Sequence, residues 1–281
     1  FYVEHLGADF SDYLQEHQTY HATTQYAQQQ LQILGRVQTV HRQFLPNFVF
    51  APQDIVVVLG QDGLVANTLK YLDNQPVIGI NPDPQRWIGV LLPFQITDLS
   101  KIVKEVFAHK RKLEKVTMAQ AQLHDGQVLY AVNDLFIGQK THHSARYLIQ
   151  QGQQQEQHSS SGVIISTGMG ATGWFKSLLT GAQRITQTWL GENTPIVTAD
   201  QHFTWDSDYL YFTVREPFPS VQSTANLVFG KITAQQPLHL VSQMPENGVI
   251  FSDGLENDFI EFNSGMQAEI SVADKKGHLV V

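Results

Sequence analysis

The segment Asp54-Ile55-Val56-Val57-Val58-Leu59-Gly60-Gln61-Asp62-Gly63 decides the fold. Ile55 to Leu59 is short, uncharged and mostly β-branched, which reads as a strand buried on both faces of a parallel sheet. The Gly60-Gln61-Asp62-Gly63 turn lets the backbone bend tightly and approach a ligand, with Asp62 held at the carboxyl end of the strand. Leu64 to Leu72 has helical spacing, and Val77-Ile78-Gly79-Ile80-Asn81 reads as a second strand. The spacing therefore predicts a β-turn-α-β unit whose helix start presents backbone N–H groups, a setting that favours anions. Many glycine-rich turns merely connect elements. The buried run, the Asp and the βαβ context distinguish this one.

Upstream, residues 8–35 are polar and helical in tendency, with Phe10, Tyr13, Leu14, Tyr26, Leu31, Ile33 and Leu34 as the apolar positions and Gly35 as the stop. Residues 36–53 read as an irregular connection. Downstream, a loop from Asn81 to Trp87 leads to an amphipathic helix over Thr97 to Lys112, with Leu99, Ile102, Val103, Val106 and Phe107 on one face. Beyond Lys112, short alternating segments are separated by turn signals such as His124-Asp125-Gly126, Asn247-Gly248 and Asn263-Ser264-Gly265, the pattern of an antiparallel, β-rich domain. The glutamine tract Gln150 to Gln157 is expected at the exposed tip of a hairpin. The boundaries expected are an α/β domain over residues 1–112 and a β-rich domain over residues 113–281.

The 281 residues suffice for one large domain or two ordinary ones. No apolar run approaches the length of a membrane span. The absence of cysteine excludes disulfides, Cys-ligated zinc and a thiol nucleophile, and fits a reducing, cytoplasmic compartment. No Lys or Arg precedes Arg36, so no basic targeting peptide is expected within the sequence. A net charge of −8 argues against nucleic acid as the partner. Six of the 18 Lys and Arg residues nevertheless fall between Lys101 and Lys115. They read either as a solvated helix end complementing the macrodipole or as a capture site for a polyanion.

Two further motifs carry chemistry. In Tyr130-Ala131-Val132-Asn133-Asp134-Leu135-Phe136-Ile137-Gly138, a neighbouring amide and carboxylate stand inside an apparently continuous apolar strand. Such a pair must be hydrogen-bonded, either internally, as at a strand-end turn, or by a ligand with several hydroxyls. Val163-Ile164-Ile165 then feeds Ser166-Thr167-Gly168-Met169-Gly170-Ala171-Thr172-Gly173, followed by a helix from Trp174. This second strand-turn-helix again offers free N–H groups, now with hydroxyls nearby. Two anion-friendly turns suit a substrate carrying more than one phosphate. His142-His143 suggests a metal, but adjacent residues on a strand would point to opposite faces. No metal ligands are assigned.

These three motifs, in this order and separation, resemble the NAD kinase family, and most closely its mitochondrial-type branch and bacterial relatives. Val77 to Arg86 resembles that branch's segment after the second strand, Ser160-Ser161-Gly162 precedes the third motif as it does there, and Ser252-Asp253-Gly254 is similar to the family's last Asp-Gly. The resemblance spans roughly residues 54–262. It implies a Rossmann-like N-terminal domain with a β-sandwich-like C-terminal domain, usually in a homodimer or homotetramer. It implies Asp62 as the catalytic base or orienting group for the adenosine ribose 2′-hydroxyl of NAD, backed by Gly60, Gln61 and Gly63. Asn133 and Asp134 would bind the dinucleotide, with Ser166, Thr167, Thr172, Gly173, Trp174 and Asp253 completing the nucleotide site. The donor would be ATP or polyphosphate with Mg²⁺, which needs few dedicated protein ligands.

The chain departs from the family where Gly-Gly-Asp-Gly-Thr becomes Gly60-Gln61-Asp62-Gly63-Leu64. Gln61 adds bulk and takes φ > 0 less cheaply than Gly, and Leu64 removes a hydroxyl. Both bear on the phosphate-donor side. Asp134 is one methylene shorter than the family's Glu, and Met169 replaces a small hydroxyl residue. The alternatives are a kinase for another hydroxyl, on a sugar or lipid, and a nucleotide-binding protein without catalysis; Asp62 favours an enzyme.

Overall fold

The computed structural model describes residue 5, residues 9–191, residue 200 and residues 202–281. Contacts divide the chain into two compact units, Phe1–Glu114 with Gly277–Val281, and Lys115–Lys276. The return of the last five residues to the first unit is not legible in the local sequence pattern.

The first unit is the βαβ element and its cover. Strand β1 (Val56–Leu59) pairs parallel with β2 (Pro76–Asn81), Val56 opposite Val77 and Leu59 opposite Ile80. The short β3 (Phe94–Gln95) and residues His278-Leu279 also run parallel to β2. Helix α1 (Ser11–Leu34) falls within the stretch predicted helical, of which residue 8 lies outside the described residues. Helix α2 (Asp62–Leu69) starts two residues earlier than the spacing predicts: extended Gln61 precedes it without a side-chain cap, and Asp62 enters its first turn, where an acid complements the helix dipole. Helix α3 is shorter than expected, Leu99–Phe107, preceded by a single 3₁₀ turn. Its Leu99, Ile102, Val103 and Val106 pack with Ile78, Ile80 and Ala27. The basic cluster beyond it is partly neutralised: Arg111 donates to Glu105 at 2.7 Å and lies over Phe94, and Lys112 pairs with Glu114.

The second unit contains two sheets. One holds β4 (Leu113–Leu123), β5 (Val128–Ala131), β7 (Ala145–Gln151), β8 (Gln154–Ser160), β12 (Leu238–Ser242) and the first part of β15 (Gln267–Val280). The other is antiparallel in the order β11 (Phe229–Ile232), β10 (Leu210–Val214), β9 (Val163–Ser166), β6 (Asp134–Gln139), β13 (Gly248–Ser252) and β14 (Leu255–Glu261). One core joins inward residues of both, including Leu135, Ile137, Ile165 and Phe212 from the second sheet and Ala121, Tyr147 and Leu240 from the first. Helix α4 (Trp174–Leu190) follows the third motif. The glutamine tract is largely ladder rather than tip: Gln150↔Gln155 and Gln151↔Gln154 pair, and only Gly152-Gln153 turn, with Gly152 at φ 57°. His142-His143 lies in a bend, not a strand, so the two rings stack at 5.0 Å instead of pointing apart. Among the described residues no helix is long and apolar enough to cross a membrane.

Phe212 is fully buried between the sheets. Phe212→Ala is expected to destabilise the second unit by about 3–5 kcal/mol, measured by urea unfolding, with hydrogen exchange in β1 and β2 unchanged.

Candidate functional site

In the first unit the Gly60 to Gly63 turn stands at the carboxyl end of β1. Gln61 is exposed and extended, with φ −104°, so the turn needs no left-handed backbone at that position. The expected φ cost of replacing Gly does not arise here; only the side chain's bulk remains. A Cβ on Gly60 would lie 2.9 Å from Leu64 Cδ2, so Leu64 closes over Gly60 where the resemblance expects a hydroxyl. Gly63 faces open space. Asp62 is half-buried, and each carboxylate oxygen accepts one main-chain amide: Oδ2 from Val90 N–H at 3.0 Å and Oδ1 from Leu91 N–H at 2.8 Å. The carboxylate is thereby fixed in orientation, and each oxygen keeps a second lone-pair direction.

In the second unit the Asn133-Asp134 pair does not sit inside one strand. The chain leaves one sheet after Ala131 and enters the other at Asp134, and Val132-Asn133 is the crossing. The cause lies more than a hundred residues away. Asp253 Oδ1 accepts Val132 N–H at 3.0 Å and Asn133 N–H at 2.7 Å, and the N–H of Asp134 approaches it at 3.4 Å. Asp253 donates its own N–H to Asp134 O at 3.0 Å. Asp253 and Gly254 have φ of 54° and 69°, which makes the Asp-Gly pair the two-residue turn between β13 and β14. An Asp-Gly between apolar strands is a hairpin signal that the sequence reading left unused. Asp253 thus braces the neighbouring turn through its carboxylate, a scaffold contact where a ligand contact was expected.

The third motif splits in the same way. Ser166 and Thr167 are fully buried. Thr167 Oγ1 donates to Val132 O at 2.5 Å and accepts Gly170 N–H at 3.2 Å, while Ser166 Oγ donates to Thr167 O at 3.0 Å. In this conformation their hydroxyls hold the turn instead of facing a ligand. A Cβ on Gly168 would lie 1.7 Å from Thr204 O, and one on Gly170 2.1 Å from Asn133 O, so only glycine permits this packing. Thr172 and Gly173 are exposed. Trp174 opens α4 without a side-chain cap, stacks on Phe136 at 5.8 Å and lies under the Arg215 guanidinium at 5.2 Å. The first amides of α4 therefore have no side-chain cap.

Among the described residues neither the Asn133 amide nor the Asp134 carboxyl has a hydrogen-bond partner, although both are half-buried. Burial, and then the negative charge of Asp253, push the Asp134 carboxyl up to about 6. No group of three His, Asp or Glu residues that could hold a metal ion occurs among the described residues.

No protein-family model matches the sequence, and no curated protein matches it. Solved structures do. Yeast NADH kinase complexed with NADH superposes with a TM-score of 0.57 at 17% identity, covering 82% of this chain and 62% of that one. An NAD kinase from Archaeoglobus fulgidus in complex with ATP superposes with a TM-score of 0.58 at 15% identity, covering 90% of this chain and 87% of that one. The chain has the fold of these kinases, with a Rossmann-like N-terminal and a β-rich C-terminal domain. The chain spans about 62% of the yeast protein's length.

A carboxyl raised in the folded state stabilises the fold at pH values below its unfolded pKa, and that contribution is lost as pH rises through about 6. Asp134→Asn is therefore expected to stabilise the protein at pH 7.5 by about 1–3 kcal/mol, the gap closing toward pH 4. Denaturant unfolding at both pH values checks this; equal gaps at both would remove the burden from Asp134.

Proposed function

We propose that the protein is an NAD kinase, moving a phosphoryl group from ATP or polyphosphate to the 2′-hydroxyl of the adenosine ribose of NAD. The observation that carries this reading is the Asn133-Asp134 pair. A half-buried amide and carboxyl, unpartnered on a turn that Asp253 braces, can together take a ligand offering both donors and acceptors. Vicinal ribose hydroxyls supply both. The adjoining α4 start offers main-chain amides to a pyrophosphate. The fold shared with one structure holding NADH and another holding ATP supports the two substrate classes.

Asp62 is the group for the reacting hydroxyl. Its amide contacts leave a lone pair on each oxygen, so it can orient the hydroxyl and accept its proton late, as the oxygen bonds to the transferred phosphorus and the donor leaves. Phosphoryl transfer asks for such positioning more than for covalent participation by the protein. Mg²⁺ enters as part of the donor complex, held chiefly by the donor's phosphates.

The direct experiment incubates purified protein with NAD, Mg²⁺ and ATP or polyphosphate and reads NADP with a coupled dehydrogenase. Product that supports the dehydrogenase is expected; phosphorylation of a lipid or free sugar instead would overturn the reading. Asp62→Asn is expected to lower kcat by at least about two orders of magnitude while the Kd for NAD, from calorimetry, stays nearly fixed. Exposed Gln61 bears on the donor through bulk alone, so Gln61→Gly should lower the donor KM a few-fold at saturating NAD. A raised KM would mean that its amide is a working phosphate contact.

A further inference from the structure

The stretch from Asn81 to Leu92 belongs to the first unit, and only its Val90 and Leu91 amides have been given a part so far. Several contacts fix its path. A Cβ on Gly79 would stand 2.0 Å from Leu91 O, so the glycine in β2 is what lets this stretch lie against the strand. Asn81, the last residue of β2, is only 5% exposed and uses both ends of its amide on the stretch. Its Oδ1 accepts Asp83 N–H at 3.0 Å and its Nδ2 donates to Trp87 O at 2.8 Å. Gly89 turns with φ 63°, and a Cβ there would press within 2.9 Å of Asn81 Nδ2. Arg86 forks onto Asp12 of α1 at 2.6 and 2.8 Å. Leu91 and Leu92 are buried, whereas Ile88 and Val90 are largely exposed. The stretch ends by aiming the N–H groups of Val90 and Leu91 at the two oxygens of Asp62.

We infer that Asn81 is a positioning residue for Asp62, acting through the 83–91 backbone whose two amides set the plane of the Asp62 carboxylate. The inference rests on the reading that Asp62 acts on the acceptor hydroxyl. A carboxylate held at one oxygen can rotate; one held at both presents its remaining lone pairs in a fixed direction. Asn81 makes the pinning possible because its one buried side chain ties down a carbonyl and an amide of the same loop, both half-buried. A residue that merely stabilised the unit would lower stability everywhere. A positioning residue changes the rate through Asp62 alone.

The test uses Asn81→Ala, with Asn81→Asp as the second variant, which keeps the acceptor for Asp83 N–H but cannot donate to Trp87 O. Hydrogen exchange read by NMR should show the Val90 and Leu91 amides exchanging about tenfold faster or more, while those of Val57 and Val58 stay as in the parent. In steady-state kinetics kcat should fall about 10–100-fold with both KM values within about twofold. Asn81→Ala placed on Asp62→Asn should cost almost nothing further. Unchanged exchange at Val90 and Leu91, or an equal loss in both backgrounds, would overturn the inference. Should the parent protein phosphorylate no NAD, the proposed reaction falls, and the exchange result still decides whether Asn81 holds the loop on Asp62.

Discussion

A carboxylate accepting main-chain N–H groups is the interaction on which both motif regions depend. In the first unit Asp62 takes the amides of Val90 and Leu91; in the second Asp253 takes those of Val132 and Asn133. Bonds of this kind are charge-assisted and stronger than ordinary amide-carbonyl bonds. In each case the acid sits just beyond a strand and the amides belong to an irregular segment that has no ladder partner to satisfy it. Remove the carboxylate and those amides lose their partner.

The two carboxylates differ in what remains available. Asp253 is bound into a tight hairpin turn, where its left-handed backbone and its side chain serve one purpose, to end β5 and start β6 at a defined point. What it exposes is its neighbour: Asp134, unpartnered and raised in pKa by burial and by that same charge. Asp62 is held but not exhausted, because two amides occupy only part of a carboxylate's acceptor capacity. The bracing carboxylate and the unpartnered one are thus separate residues in the second unit, whereas in the first a single carboxylate is both held and open to a further contact. The buried hydroxyls of Ser166 and Thr167 extend the bracing, since Thr167 ties the third motif to the carbonyl of Val132.

How much of this is legible in the sequence follows from the range of the forces involved. The strand before Gly60, the helix after it and the second strand are readable because β-branched runs and helical spacing act locally. The same holds for the hairpin around the glutamine tract, although its polar residues hid how far the ladder runs. The chain break at Val132-Asn133 is not readable, since its cause is Asp253, and apolar residues continue smoothly through it. Asp62 was legible as a functional candidate, but its partners at Val90 and Leu91 were not, because backbone amides carry no side-chain signal. Ser166 and Thr167 look like ligand contacts in a glycine-rich turn; burial, which composition does not reveal, commits them to the scaffold. The glycines at 168 and 170 read only as members of an anion-friendly turn, whereas the structure shows close backbone approach.

In the proposed reaction the turn braced by Asp253, together with the start of α4, receives the dinucleotide. An NMR titration of the protein with NAD, without a phosphate donor, tests it most directly. The amide signals of Asn133, Asp134 and the residues from Gly173 to Lys176 are expected to shift together and saturate with one Kd. If those signals stay in place at NAD concentrations that saturate another surface, or if no site saturates, the dinucleotide does not bind at this turn.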